Sequence, residues 1–93
     1  MEPTHPSQFS QKIVVYSTTF CPYCIRAYHL LNQRGYDYAK VDVSGDDAAR
    51  AWLVDVTQRL TVPQIFVHGL PIGGYTELAS LDRSGGLAEL LRR

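Results

Sequence analysis

Cys21-Pro22-Tyr23-Cys24 contains the only two cysteines of this 93-residue chain, and two residues separate them. In a helix that begins at Cys21, the two side chains would lie on one face, with Cα atoms roughly 5–5.5 Å apart. A disulfide accepts Cα separations of about 4.4–6.8 Å. Pro22 favours such a helix start because it has no N–H to lose at the first helical position. The stretch therefore predicts a redox-active cysteine pair.

The expected place of Cys21 at the helix N-terminus makes it the reactive member of the pair. Free N–H groups and the helix dipole at that end favour a thiolate. Cys24 would lie one turn into the helix, so it should be less exposed and less acidic. A free thiol with a pKa of about 8.5 is only a few per cent ionised at pH 7. A lowered pKa would also make Cys21 a better leaving group when a second thiol attacks its mixed disulfide.

Composition restricts the chain to one small domain with balanced charge. Nine basic residues balance nine acidic ones, so nothing favours nucleic acid or a membrane surface as a partner. No run approaches the roughly 20 apolar residues of a transmembrane helix. The segment from Met1 to Gln11 lacks the basic start and apolar stretch of a signal peptide. A lone cysteine pair suits the reducing cytosol, so we expect a cytoplasmic protein. We also expect it to be a monomer.

Short β-branched runs alternate with helical stripes, which predicts an α/β fold with a sheet between helices. Residues 1–11 are predicted to form a flexible N-terminal tail and residues 12–93 a single domain. The predicted strands cover 12–17, 38–43, 64–67 and 70–72, and the predicted helices cover 21–35, 46–58, 76–84 and 87–93. The order is βαβαββα, with the closing helix interrupted at Gly85-Gly86. Because a ββ hairpin follows a βαβ unit, the four-stranded sheet should be mixed.

Three motifs in this order resemble those of the glutaredoxins, and most of all the short bacterial dithiol type. They are Cys21-Pro22-Tyr23-Cys24, Thr61-Val62-Pro63-Gln64-Ile65-Phe66 and Gly73-Gly74-Tyr75-Thr76-Glu77-Leu78. The resemblance covers roughly residues 12–92. It implies a thioredoxin-like fold and an enzyme that uses glutathione to reduce protein disulfides and glutathione mixed disulfides.

The resemblance also implies how the two cysteines divide the work. Cys21 would attack the glutathione sulfur of a protein–glutathione disulfide, and a second glutathione would then release Cys21. With a protein disulfide, Cys24 would resolve the mixed disulfide and leave the Cys21–Cys24 bridge. Glutathione is therefore the expected cosubstrate, and disulfide-containing or glutathionylated proteins are the expected partners. No metal is expected.

A glutathione site around the cysteines is implied by the same resemblance. Its expected members are Thr18, Tyr23, Arg59, Thr61, Val62, Pro63, Gly74, Thr76 and Glu77. A cis Val62–Pro63 bond would present the main chain of Val62 beside Cys21, where glutathione could pair with it as a strand. Gly74 would let a ligand approach the main chain closely.

The charged ends of glutathione have implied partners as well. Thr76, at a helix N-terminus, would bind the γ-glutamyl carboxylate, and Glu77 would pair with the ammonium group. Arg59 would take the glycine carboxylate, and Tyr23 would pack beside the sulfur. Many relatives carry a lysine three residues before the first cysteine, where this chain has Thr18. One cationic contact of the family pattern is therefore missing.

Three other hypotheses use the same cysteines. A structural zinc site needs four ligands, but only His5, His29 and His68 are left, and they lack finger spacing. A thioredoxin-like electron donor would be reduced by a flavoprotein reductase, and the Gly-Gly-Tyr-Thr-Glu segment argues against it. A dimer could instead share an iron–sulfur cluster between Cys21 and glutathione. Family members that bind a cluster favour Gly or Ser after the first cysteine, so Pro22 weighs against this hypothesis.

Overall fold

The structure is a computed structural model that describes residues 5–93. Its strands are β1 Ile13–Ser17, β2 Tyr38–Asp42, β3 Gln64–Val67 and β4 Leu70–Gly73. Its α-helices are α1 Pro22–Arg34, α2 Asp47–Thr57, α3 Tyr75–Ser84 and α4 Gly86–Leu91, and a short 3-10 helix covers Pro6–Gln8. The predicted elements are all present, and their ends differ from the predicted ones by at most two residues. For example, α2 is predicted to cover 46–58. Asp46 is instead the N-cap residue before the helix, and Gln58 follows its last residue with a left-handed backbone, φ 60°.

The four strands form one mixed sheet in the order β2-β1-β3-β4. Strand β1 runs parallel to β2 and antiparallel to β3, and β3 and β4 form an antiparallel hairpin. This confirms the predicted thioredoxin-like architecture. All five residues of β1 are buried, as expected for a strand with helices on both faces. Within residues 5–93, no helix is both long enough and apolar enough to span a bilayer.

Alternating β1 side chains enter two separate cores, one on each face of the sheet. One core is formed by Ile13, Val15, Ala27, Leu31, Ile65, Val67, Leu78 and Leu87. The other is formed by Val14, Tyr16, Ala39, Val41, Val43, Leu53 and Phe66. Because β1 is packed from both sides, its C-terminal end at Ser17 is a fixed starting point for the loop that leads to the cysteines.

Helix α1 begins and ends as the sequence predicts. Cys21 is the N-cap, and its Sγ accepts a hydrogen bond from the N–H of Cys24 at 3.2 Å. Pro22 is the first helical residue. At the other end, Gly35 adopts a left-handed backbone with φ 72°, which is the usual way for a glycine to end a helix. The cysteine pair is thus set by the first turn of α1.

The described part of the N-terminal segment lies against the domain. Pro6 is buried, and the ring of His5 lies 5.2 Å from the ring of Trp52 between centroids. Phe9 packs against the core that contains Tyr16. Residues 1–4 lie outside the described residues, and the flexibility of the 1–11 tail stays a prediction.

Candidate active site

The two cysteines form a disulfide with a Cα–Cα distance of 5.2 Å, inside the range that the sequence predicts. Cys21 is 8% exposed and Cys24 is 1% exposed, so Cys21 is the outer cysteine. The hydrogen bond from the Cys24 N–H to Cys21 Sγ shows that a free N–H of the first turn points at this sulfur. After reduction, this N–H can stabilise a thiolate on Cys21.

The main chain of Val62 borders the disulfide. The Val62–Pro63 peptide bond is cis, as predicted. The Val62 carbonyl oxygen lies 3.7 Å from Cys21 Sγ, while Pro63 is buried beneath it. An extended ligand whose sulfur reaches Cys21 would therefore run next to this main-chain segment.

A buried glutamine holds the turn that contains Val62. Gln64 is 1% exposed, and its Nε2 donates a hydrogen bond to the Thr61 carbonyl at 2.8 Å. Its Oε1 has no hydrogen-bond partner among the described residues, and an unpaired buried acceptor costs roughly 1–3 kcal/mol. Gln64 lies within a motif of the sequence, but no role is predicted for it there. Its position as a polar residue in an otherwise apolar strand is the sequence feature that indicates such a role.

Glu77 and Arg59 form an ion pair with each other. Oε1 of Glu77 accepts this bond and also the N–H of Gly74 at 2.9 Å. The Gly74 N–H and the Arg59 guanidinium hold the pKa of Glu77 below its usual value. From the sequence, these two side chains are expected at opposite ends of glutathione. The structure brings them together, and both of these bonds are accepted by the same oxygen, Oε1.

Gly74 has a packing role that the sequence does not show. A Cβ atom at this position would lie 3.2 Å from the carbonyl oxygen of Pro63. Glycine thus lets the start of α3 approach the turn before β3, which keeps Glu77 on the same side as Val62. The predicted contact between Gly74 and a ligand stays a prediction.

The other predicted binding residues are at the surface of the same region. Thr76 is exposed in the first turn of α3, and Tyr23 is exposed in the first turn of α1. Thr61 is exposed at the start of the turn that precedes β3. Thr18 is half-buried in the loop between Ser17 and Cys21.

Two residues outside the predicted set lie beside Tyr23. The ring of Tyr75 is 6.4 Å from the Tyr23 ring between centroids. The Arg26 guanidinium is 5.2 Å from the centroid of the same ring. Arg26 could have been found in the sequence, because residues three apart on a helix are neighbours. Tyr75 comes from α3, and the sequence gives no signal that pairs it with α1.

A second arginine lies near Arg59. Arg50, on α2, borders a small hollow that Arg59, Thr61 and Val62 also line. One of its guanidinium N–H groups donates to the Leu60 carbonyl at 3.2 Å. Arg59 is the only arginine among the predicted glutathione-binding residues. The structure places a second arginine, Arg50, beside the same hollow.

The loop before Cys21 is tied to the loop that follows β2. Both the N–H and the hydroxyl of Thr19 bond to Ser44 Oγ, at 2.8 and 3.1 Å. The Ser44 N–H donates to Asp42 at 2.8 Å, and the Ser44 bonds hold the pKa of Asp42 below its usual value. Phe20, next to Cys21, is 93% exposed. The opening of the site therefore has an apolar side chain and an acidic loop on this flank.

Metal coordination has no candidate group in the described part of the chain. Between residues 5 and 93, no three His, Cys, Asp or Glu side chains come close enough together to hold an ion.

Comparison with known proteins gives consistent matches along the chain. The model of the family described as Glutaredoxin matches residues 13–72. The chain is 40% identical over 79 residues to the glutaredoxin of Pseudomonas aeruginosa, covering 85% of this chain and 94% of that protein. It is 39% identical over 80 residues to glutaredoxin 3 of Escherichia coli, covering 86% and 96%. Among solved structures, the buckwheat glutaredoxin–glutathione complex superposes with a TM-score of 0.83 at 35% identity, covering 89% of this chain and 78% of that one.

Proposed function

Because the chain belongs to the glutaredoxin family, it is a thiol–disulfide oxidoreductase, and we propose that glutathione is the reductant of its Cys21–Cys24 site. The observation that carries the proposal is the main-chain edge of Val62 beside Cys21, with its carbonyl oxygen 3.7 Å from Sγ. A tripeptide thiol can lie along such an edge and present its own sulfur to Cys21. The buckwheat relative, whose structure contains glutathione, supports the proposal.

The charged side chains next to this edge fit the two ends of glutathione. Oε2 of Glu77 can accept the γ-glutamyl ammonium while Oε1 keeps the Gly74 N–H. The guanidinium N–H groups of Arg59 that Glu77 does not use can take the glycine carboxylate. The free N–H groups in the first turn of α3, at Thr76, suit the γ-glutamyl carboxylate. The Arg59–Glu77 pair would then orient the ligand along the Val62 edge.

The reaction follows from the two sulfurs. The Cys21 thiolate attacks the glutathione sulfur of a mixed disulfide, a Cys21–glutathione disulfide forms, and the protein thiolate leaves and takes a proton. A second glutathione thiolate then attacks the glutathione sulfur and expels the Cys21 thiolate as oxidised glutathione forms. With a protein disulfide, Cys24 attacks Cys21 in the mixed disulfide and the Cys21–Cys24 bridge results. We propose glutathionylated and disulfide-containing proteins as substrates, in the cytoplasm, with the enzyme acting as a monomer.

The proposal is tested by comparing two electron donors in the same assay. We expect rapid reduction of a small mixed disulfide with glutathione as reductant, and little with a thioredoxin-type flavoprotein reductase in its place. Glu77→Gln should raise the KM for glutathione by about tenfold, because it weakens a partly exposed charge-assisted contact. Steady-state kinetics with varied glutathione measures both results.

Glu89→Gln is the matched control for that variant. Glu89 forms an exposed ion pair with Arg92 in α4, so the same chemical change there should leave the KM for glutathione unaltered. Turnover with the flavoprotein reductase but not with glutathione would refute the proposal. Equal KM values for Glu77→Gln and Glu89→Gln would remove Glu77 from the binding site.

Thr18→Lys restores the cation of the family pattern. We expect it to tighten apparent glutathione binding by a few-fold, up to about tenfold, because it adds one partly exposed charge pair. It should also lower the pKa of the Cys21 thiol slightly, because it places a positive charge near the thiolate, and both effects should shrink at high salt. Kinetics at two ionic strengths and thiolate absorbance in the ultraviolet measure binding and Cys21 ionisation separately. No change in either quantity would mean that another cation, such as Arg50 or Arg59, already supplies the missing contact.

A further inference from the structure

A cleft of about 240 Å³ lies between α1 and α3. Its α1 wall carries Arg26, His29 and Arg34, and Tyr75 contributes from α3. We call it the basic cleft; none of its lining residues belongs to the proposed glutathione site. Tyr75 connects it to the cysteine turn, because its ring lies beside that of Tyr23 with the centroids 6.4 Å apart.

Along α1, Arg26 links Tyr23 to the basic cleft. Tyr23 and Arg26 are three residues apart, as are Arg26 and His29, so the members of each pair are neighbours on the helix surface. The guanidinium of Arg26 rests 5.2 Å from the centroid of the Tyr23 ring. A polypeptide bound at Cys21 and continuing over Tyr23 would therefore meet Arg26 first.

The charges of the basic cleft do not cancel. Arg34 is neutralised by Asp82, which accepts from its Nε at 3.0 Å and from its Nη2 at 2.9 Å. Arg26 has no carboxylate partner in the described part of the chain. The residues that line the basic cleft thus have a net positive charge, which Arg26 carries. The protein as a whole has a formal net charge of zero. A guanidinium over an aromatic ring is already oriented and keeps its N–H groups free for a carboxylate.

The loop that leads to Cys21 is linked to a carboxylate. It bonds through Thr19 to Ser44, and Ser44 bonds to Asp42. Lys40, two residues earlier on β2, lies over the Tyr28 ring with its Nζ 4.5 Å from the centroid. Arg26 in the basic cleft is therefore the charge that we expect to orient a partner, and such a charge accelerates association more than it adds affinity.

We propose that the basic cleft binds an acidic side chain of a disulfide-containing polypeptide substrate, two or three residues from the cysteine that reacts with Cys21. The proposal rests on the thiol–disulfide exchange of this site and not on the use of glutathione. In that exchange the Cys21 thiolate forms a mixed disulfide with one substrate sulfur, and the other leaves as a thiolate and takes a proton. Cys24 then releases the first sulfur as a thiol, so the substrate disulfide is reduced and the protein dithiol is oxidised.

The test is a single turnover of the reduced protein without glutathione. Two disulfide peptides are compared, identical except for Glu or Lys two residues from the reacting cysteine. At low salt we expect the Glu peptide to react about three- to tenfold faster, since one or two partly exposed charge pairs are formed or opposed. The preference should fade at high salt. Arg26→Glu should reverse it.

Arg93→Glu is the matched control because it makes the same charge change at the far end of the molecule. The neighbouring Leu91 carbonyl accepts from Lys12, which precedes β1, whereas the cysteines follow the other end of that strand. Arg93→Glu should keep the wild-type preference for the Glu peptide. A small uncharged disulfide should react equally fast with wild type and Arg26→Glu, which shows that folding and Cys21 reactivity are intact.

Three outcomes would overturn the proposal. The first is equal rates for the two peptides with the wild-type protein. The second is the same preference in Arg26→Glu and Arg93→Glu. The third is a slower reaction of Arg26→Glu with the uncharged disulfide, which would place Arg26 in the reactivity of Cys21 rather than in docking. Because glutathione is absent from every arm, failure of the proposed reductant would leave this result unaffected.

Discussion

Replacing Cys21 with serine is expected to abolish thiol–disulfide exchange, whereas Cys24→Ser should keep turnover of glutathione mixed disulfides. Cys21 is the outer sulfur, at the N-terminus of α1, and Cys24 is 1% exposed. In Cys21→Ser the remaining thiol is buried and cannot meet an incoming disulfide. In Cys24→Ser the Cys21 thiolate still attacks, and external glutathione can resolve the intermediate. Glutathione-coupled assays on a small mixed disulfide measure both variants.

Two further measurements test the separate roles of Cys21 and Cys24. Alkylation of the reduced variants should be fast for Cys24→Ser and slow for Cys21→Ser, because the thiolate is the reactive form. Single-turnover reduction of a peptide disulfide should stop at a mixed disulfide in Cys24→Ser, which mass spectrometry detects. Substantial activity of Cys21→Ser, or complete loss in Cys24→Ser on the small mixed disulfide, would contradict the assignment.

The parts of the site that depend on neighbouring residues could be predicted from the sequence. Cys21 as N-cap, Pro22 as first helical residue and Gly35 as the helix stop all follow from local backbone preferences. The burial of β1 on both faces also follows from its unbroken apolar run. These local rules are enough to place the two cysteines one turn apart on one helix face.

Contacts between distant segments could not be predicted in the same way. Arg59 precedes β3 and Glu77 lies in α3, and only the folded chain shows that they pair. The sequence gives their charges, which suit the two ends of a ligand, but not the distance between them. The contact of Tyr75 with Tyr23 and the bond from Gln64 to Thr61 depend equally on the folded arrangement.

Gly73→Ala should destabilise the protein strongly for a change of one methyl group. Gly73 has φ 115°, and an added Cβ would lie 2.7 Å from Cγ of Glu77. Backbone strain at such a φ costs roughly 1–2 kcal/mol, and displacing Glu77 also removes its bond to the Gly74 N–H. We expect the free energy of unfolding to fall by about 2–3 kcal/mol in total, and Tm by roughly 10–20 °C. Thermal and urea unfolding measure the loss.

Gly45→Ala and a double variant separate the two causes of that loss. Gly45 also has a positive φ, 72°, but an added Cβ there meets nothing within 4 Å. Its replacement should therefore cost only the strain, about 1 kcal/mol. In a Glu77→Ala background, Gly73→Ala should cost about 1 kcal/mol less than in wild type, since no side chain remains to be displaced. If Gly73→Ala costs the same in both backgrounds, the backbone alone requires glycine at this position, and the position of Glu77 does not depend on it.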